Sequence, residues 1–217
     1  MGFTKAIAAV LALLPISATA QGQTIDSGKL LAELNAARSD PASYARGLRQ
    51  YRTYFHANLL RYPGLNLDIE TEEGIGVVDE TIAYLARQPA LDPVQPSAVL
   101  RTAAAEHLAD QQHSGAVGHA GSDGSSPGLR VRRLGGGGYV AEVISYGSID
   151  AVDAMRQLIV DDGVADRGHR SIIYSAELRY AGAICGPHPV YRTMCVIDLG
   201  VTPDGRDPQD STRYAAR

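Results

Sequence analysis

The residues best suited to chemistry are two histidines and the acids near them. His119 lies in Gly118-His119-Ala120-Gly121-Ser122-Asp123-Gly124-Ser125-Ser126-Pro127, a stretch made almost wholly of small residues. So many small residues point to a backbone held in a specific turn, with the ring presented to an open cavity. His169 lies in Asp166-Arg167-Gly168-His169-Arg170, just past the acids Asp161 and Asp162. Neutral imidazole with a nearby carboxylate is the chemistry of a divalent transition-metal site. The same groups equally make a proton-transfer pair. The two histidines stand too far apart in the chain for a short metal motif such as HExxH. Glu142 stands in the apolar run Val140-Ala141-Glu142-Val143-Ile144. If it faces inward it needs a partner to offset the cost of burial. Alternation along a strand also allows it to face outward.

Other candidates read as structural. His107 and His113 fall on or just after a long helix as packed or surface side chains, and His56 and His188 lie in loop-like stretches. Arg130, Arg132 and Arg133 form a small basic cluster, read as a solvated face. Gly135 to Gly138 is a flexible turn, since no phosphate-loop lysine and serine accompany it. Ser114, Ser125 and Ser126 sit in no GxSxG elbow, and the last two suit helix capping.

The elements that must position these groups follow from pattern and punctuation. Leu30, Leu31, Leu34 and Ala37 recur at helical spacing, after a loose polar stretch from Gln21 to Asp26. Asp40-Pro41 restarts a helix that runs on to Tyr51. Residues 52–76 are less regular and form an excursion, followed by a helix over Val78–Arg87 and a proline-rich linker, Pro89–Pro96. Ser97 caps a strong helix over Ala98–Gln112, and Ser126-Pro127 starts a short one to Leu134. Tyr139–Tyr146 reads as a strand, Ile149–Val160 as an amphipathic helix, and Gly168–Tyr174 as one or two helical turns. Arg179–Cys185 and Thr193–Leu199 read as strands joined across Gly186-Pro187-His188-Pro189. Helices first and strands late favour α+β, with helices packed on an antiparallel sheet.

Lys5, the apolar run Ala6–Ile16 and Ala18-Thr19-Ala20 read as a secretory signal over residues 1–20. That run is too short to span a bilayer, which takes roughly 20 residues, and no other stretch comes close. The expectation is therefore export, to the periplasm or the medium. The net charge of −4 without a basic stripe argues against nucleic acid as a partner. The two cysteines, Cys185 and Cys195, suit a disulfide in an exported protein, across adjacent antiparallel strands. Two buried thiols are the alternative.

Taken together, these segments resemble the CAP superfamily (cysteine-rich secretory proteins, antigen 5, pathogenesis-related 1) in its bacterial SCP-domain form. The resemblance runs from Leu34-Asn35-Ala36-Ala37-Arg38 and Asp40-Pro41-Ala42, through the helix at Ala98–Gln112 and the His119 loop. It continues in Ala141-Glu142-Val143-Ile144 and closes with Gly168-His169-Arg170-Ser171-Ile172-Ile173 and the last two strands. It implies a three-layer α-β-α sandwich around a central antiparallel sheet. The CAP domain would cover residues 30–200, with 21–29 flexible and 201–217 a polar tail.

The resemblance also implies a central cavity lined by two histidines and two acids, which in some members binds a divalent metal such as zinc. By position the histidines are His119 and His169, and the first acid is Glu142, where the family usually has Gly-Glu-Asn. The second is Asp161, with Asp162 the runner-up, where eukaryotic members usually carry glutamate. Family members have been associated with sterol and lipid binding, and proteolysis has been proposed for some. Three functions follow as expectations. The first is binding of a small-molecule or lipid ligand at a metal-dependent cavity. The second is a peptidase-like hydrolase, metal-assisted or using His–carboxylate acid/base chemistry, with Glu142 and Asp161 as its catalytic residues, and the third is an extracellular scaffold for an unidentified protein partner.

Overall fold

A computed structural model describes residues 24–64 and 68–209 of the 217-residue chain. The signal reading on residues 1–20 and the end of the polar tail lie outside the described residues. The protein is α+β. Its first helix, α1 (Ser27–Ser39), begins where the Asp26 carboxylate accepts from the amides of Gly28 and Lys29. Leu30, Leu34, Ala37 and Arg38 share its buried face at helical spacing. The N-terminal stretch read as loose is ordered earlier than expected, because Ile25 is already buried in the core.

Asp40 joins two helices. Its backbone N–H closes α1 on Ala36, and its side chain accepts from Ser43 to open α2 (Pro41–Arg52). Pro41 sits at the first helical position, where an N–H has no helical partner to lose.

The excursion over residues 52–76 holds a small antiparallel sheet of β1 (Phe55–His56), β2 (Leu59–Arg61) and β3 (Asp68–Glu70). Tyr51, Tyr54, Phe55 and Tyr62 pack against one another beside it. The Arg156 guanidinium lies 4.4 Å from the Tyr51 ring centroid, tying the excursion to a later helix. Then come α3 (Ile75–Leu85) and the short β4 (Gln95–Pro96) inside the stretch read as a linker.

The main sheet has the order β4-β6-β7-β5, with β5 at Val140–Tyr146, β6 at Tyr180–His188 and β7 at Arg192–Gly200. β5 and β6 pair antiparallel with the central β7, and β4 pairs parallel with β6. Alternation along β7 divides its side chains between two clusters. Cys195, Ile197 and Leu199 join Leu30, Leu34 and Met155, from α1 and α6 (Ala151–Val160). Met194 and Val196 join Ala104 and Leu108 of α4 (Ala98–Ser114). Each fully buried leucine in these clusters contributes about 1.5–3 kcal/mol relative to exposure. Gly182 on β6 lets α4 lie almost on the sheet, since a Cβ there would collide with the Arg101 amide nitrogen.

Cys185 and Cys195 stand directly opposite each other on β6 and β7 and form a disulfide. The β6 and β7 strands run further than the sequence indicates, so the turn between them falls at residues 189–191 rather than on Gly186 to Pro189.

One other reading changes. The glycines at 135–138 are not a free turn. The Gly137 and Tyr139 amides donate to the carbonyls of Asp204 and Gly205, and a Cβ on Gly137 would collide with the Gly205 oxygen. The early part of the polar tail is the segment that these glycines receive. No helix among the described residues is long and apolar enough to cross a membrane.

Candidate functional site

The first half of the site is built on three elements. The loop between α4 and α5 (Pro127–Arg133) is fastened at both ends before it presents His119. Near its start, the Gly118 amide donates to the Tyr146 hydroxyl (2.9 Å) and its carbonyl accepts from the Gln111 side chain (2.6 Å). Further on, Asp110 accepts from the amide of Ser122 (2.8 Å) and from its hydroxyl. Arg130 donates to the carbonyls of His119 (3.1 Å) and Ser125 (3.2 Å). What is left free is the His119 ring, half exposed.

Its Nδ1 is 2.9 Å from Oε1 of Glu142. That acid faces inward from β5 with its side chain 1 % exposed, and its Oε2 accepts from Arg130 at 2.5 Å. Burial alone would raise the Glu142 pKa. The hydrogen bond from His119 and the charge of Arg130 more than offset this and hold it below the ordinary carboxylate value. Glu142 is therefore a carboxylate at neutral pH and can only accept. The Nδ1 of His119 must then donate, and in the neutral tautomer that does so the lone pair is on Nε2.

The second half is local. Asp161 ends α6 in the left-handed region (φ 60°, ψ 43°), a conformation aspartate tolerates better than most residues. The turn brings its carboxylate onto the start of α7 (Gly168–Ile173). Oδ1 lies 2.6 Å from His169 Nδ1, while Oδ2 accepts from the amides of His169 (2.9 Å) and Arg170 (3.3 Å). Arg170 clamps the segment from behind by donating to the carbonyls of Ile159 and Val160 and to Glu80 of α3. The shorter acid reaches His169 because the turn carries it there. Asp162, its neighbour, does not join: its carboxylate accepts from the amides of Glu72 and Glu73 (both 2.8 Å) at the entry to α3.

The two imidazoles lie side by side in space, with centroids 6.4 Å apart and planes tilted by 44°. No hydrogen bond among the described residues uses Nε2 of either ring. Among the described residues, no three His, Cys, Asp or Glu side chains gather in a group that could hold an ion. The donor set here is a pair of imidazoles, each oriented by a carboxylate on its other nitrogen. That is how metal-binding histidines are commonly held, and any further coordination positions would fall to water or ligand.

Arg130 and Asp198 escaped the sequence reading, and His107, packed as expected, stands beside Glu142. Arg130, read as part of a solvated face, is 3 % exposed and is the counter-charge to Glu142; Arg133 of that cluster pairs at the surface, with Asp123. His107 is fully buried, 4.0 Å from Glu142, and burial lowers its pKa so that it stays neutral. Asp198 on β7 is fully buried opposite Glu142. It lies in the apolar run Met194 to Leu199 and carries the same signal that singled out Glu142: an acid where a strand is otherwise apolar. His188 is buried, bonded to the Ala116 carbonyl, and takes no part in the site.

No family model matches the chain, and no curated protein matches it. Among solved structures the chain is similar to an outer surface protein from Borrelia burgdorferi, at 11 % identity and a TM-score of 0.45. The alignment covers 82 % of this chain and 97 % of that one. That likeness is too loose to carry a site or a function across.

Proposed function

We propose that this is a secreted or periplasmic CAP-domain protein, an α-β-α sandwich whose cavity binds a divalent metal, zinc by preference, together with a small-molecule or lipid ligand. One observation carries the reading: two imidazoles lie with centroids 6.4 Å apart, each with Nδ1 turned to a buried carboxylate and Nε2 left open. His119 and His169 would hold the ion, and Glu142 and Asp161 would orient them from behind. A bound zinc ion supplies a Lewis acid with open positions for a ligand atom.

Binding is favoured over turnover by the state of Glu142. Its carboxylate is committed to His119 and Arg130, so it is poorly placed to accept a proton from a substrate. No serine, threonine or cysteine among the described residues hydrogen-bonds to either imidazole, which leaves a covalent mechanism without a side-chain nucleophile. A slot of about 350 Å³ lies between α7 and the start of β5, lined by none of the four site residues. Tyr139, Val140, Ala141, Ile172, Leu178 and Val201 give it apolar walls.

Calorimetric titration of zinc into metal-free protein tests the proposal, beside the variant carrying both His119→Ala and His169→Ala. One saturable site per chain, lost in the variant, is the expected result. Heats of dilution alone in the wild type would overturn it.

A further inference from the structure

Behind Glu142, on the central strand, stands an acid without a partner. The register places Asp198 of β7 opposite Glu142 of β5 on one side and Gly182 of β6 on the other. Asp198 is fully buried, and neither of its oxygens has a hydrogen-bond partner. The backbone of α4 lies against Gly182 and roofs this part of the sheet.

The groups that face it come from every neighbouring element. Strand β5 contributes Glu142 and α5 contributes Arg130, while His107 of α4, which burial keeps neutral, stands 4.0 Å from Glu142. Strand β6 contributes only Gly182. Two carboxyl groups therefore share one guanidinium, and that guanidinium is bonded to Glu142 at 2.5 Å. A second buried negative charge here would have no compensation. One of the two acids must hold a proton, and Glu142 already has donors on both oxygens.

We infer that Asp198 is protonated in the folded protein and donates to Glu142 across the strands. A buried carboxyl–carboxylate pair, rather than Glu142 alone, thereby positions His119. The inference rests on the proposed role of His119 for its functional meaning, though not for the proton itself. An acceptor-only carboxylate cannot satisfy another one, which is why Asp198 stands unpartnered until a proton is placed on it. Burial first, and then the negative charge of Glu142, push Asp198 well above the usual carboxylate range, with Arg130 acting in the opposite sense. Asp198 is thus a positioning residue. It gives Glu142 a third donor, holds its rotamer, and keeps the Nδ1 proton on His119.

The sign of the pH dependence follows. An acid whose folded-state pKa is raised binds more protons folded than unfolded. The stability it contributes is full below about 4 and is lost as pH rises towards the folded-state value. Asp198→Asn keeps a donor towards Glu142 and removes the titration. Urea unfolding across pH should show the wild-type folding constant falling relative to Asp198→Asn by about tenfold per pH unit above about 4. Carbon-13 NMR of labelled aspartate should show one carboxyl that does not titrate in the ordinary range and is absent from the variant. Nitrogen-15 spectra should keep the Nδ1–H tautomer of His119 in Asp198→Asn and lose its dominance in Asp198→Ala.

A flat ratio between wild type and Asp198→Asn, or an Asp198 signal that titrates near 4, would overturn the inference. Those two readouts decide it even if Asp198→Ala does not fold. Zinc calorimetry on the same proteins separates the questions. Zinc affinity lowered in Asp198→Ala and rescued by Asp198→Asn, which keeps the donor to Glu142, is the expected outcome. A wild type that binds no zinc removes the proposed function and leaves the proton on Asp198 where the NMR finds it.

Discussion

The two histidine–acid pairs do the same job by opposite means. His119 and Glu142 are 23 residues apart and meet only because a loop, α5 and the edge strand β5 converge. Their acid is rigid, almost wholly buried and balanced by Arg130. His169 and Asp161 are eight residues apart, and one left-handed turn at a helix end delivers the acid. Its carboxylate also receives the first amides of α7, so a piece of backbone geometry replaces the counter-charge. The first pair should therefore fail when charge balance is disturbed, and the second when the turn is. Both failures should reach the same ion.

Removing Arg130 is the strongest way to break the first pair. Arg130→Met leaves Glu142 buried and uncompensated, with an expected loss of about 3–5 kcal/mol in urea unfolding. A loss under about 1 kcal/mol would show that Glu142 finds another partner or becomes neutral at no cost. Next in size, Asp161→Asn should lower zinc affinity by roughly 10–100-fold while the fold persists, because His169 loses its orienting charge. Unchanged affinity would mean that the turn alone aims the ring.

The pH dependence separates the pairs again. Glu142 has a folded-state pKa below its ordinary 4.5, so the stability it contributes is complete above that value and is lost as pH falls through the depressed one. Acid unfolding should therefore begin below about 4.5 in the wild type, and be less steep in Glu142→Gln. Equal slopes would remove Glu142 from the linkage. The smallest effect belongs to Asp162→Asn. It should cost no more than about 1–2 kcal/mol at the α3 entry and leave zinc affinity unchanged. A drop in affinity would return Asp162 to the site.

What the sequence made legible was mostly local. Asp40-Pro41, Ser97 and Ser126-Pro127 each announce a helix start because the cap acts on amides two or three residues away. The Asp161–His169 pair belongs to the same order of distance. The outward or inward facing of Glu142 stayed open, since both Val143 and Ile144 beside it are buried and alternation offers no phase. Arg130 could not be told from Arg132 and Arg133, because its burial depends on where the His119 loop and β5 come to lie. The two-residue β4 was hidden among prolines, and its pairing with β6 is a property of the distant strand. Asp198 was legible in principle by the reasoning applied to Glu142. Only the register, which places the two acids side by side, gives it meaning.

X-ray absorption at the zinc edge, on protein loaded with one equivalent, tests the central claim most directly. Two imidazoles per ion are expected in the wild type, and one in His119→Ala and in His169→Ala taken singly. Two imidazoles persisting in either single variant, or none in the wild type, would contradict a site shared between the two pairs.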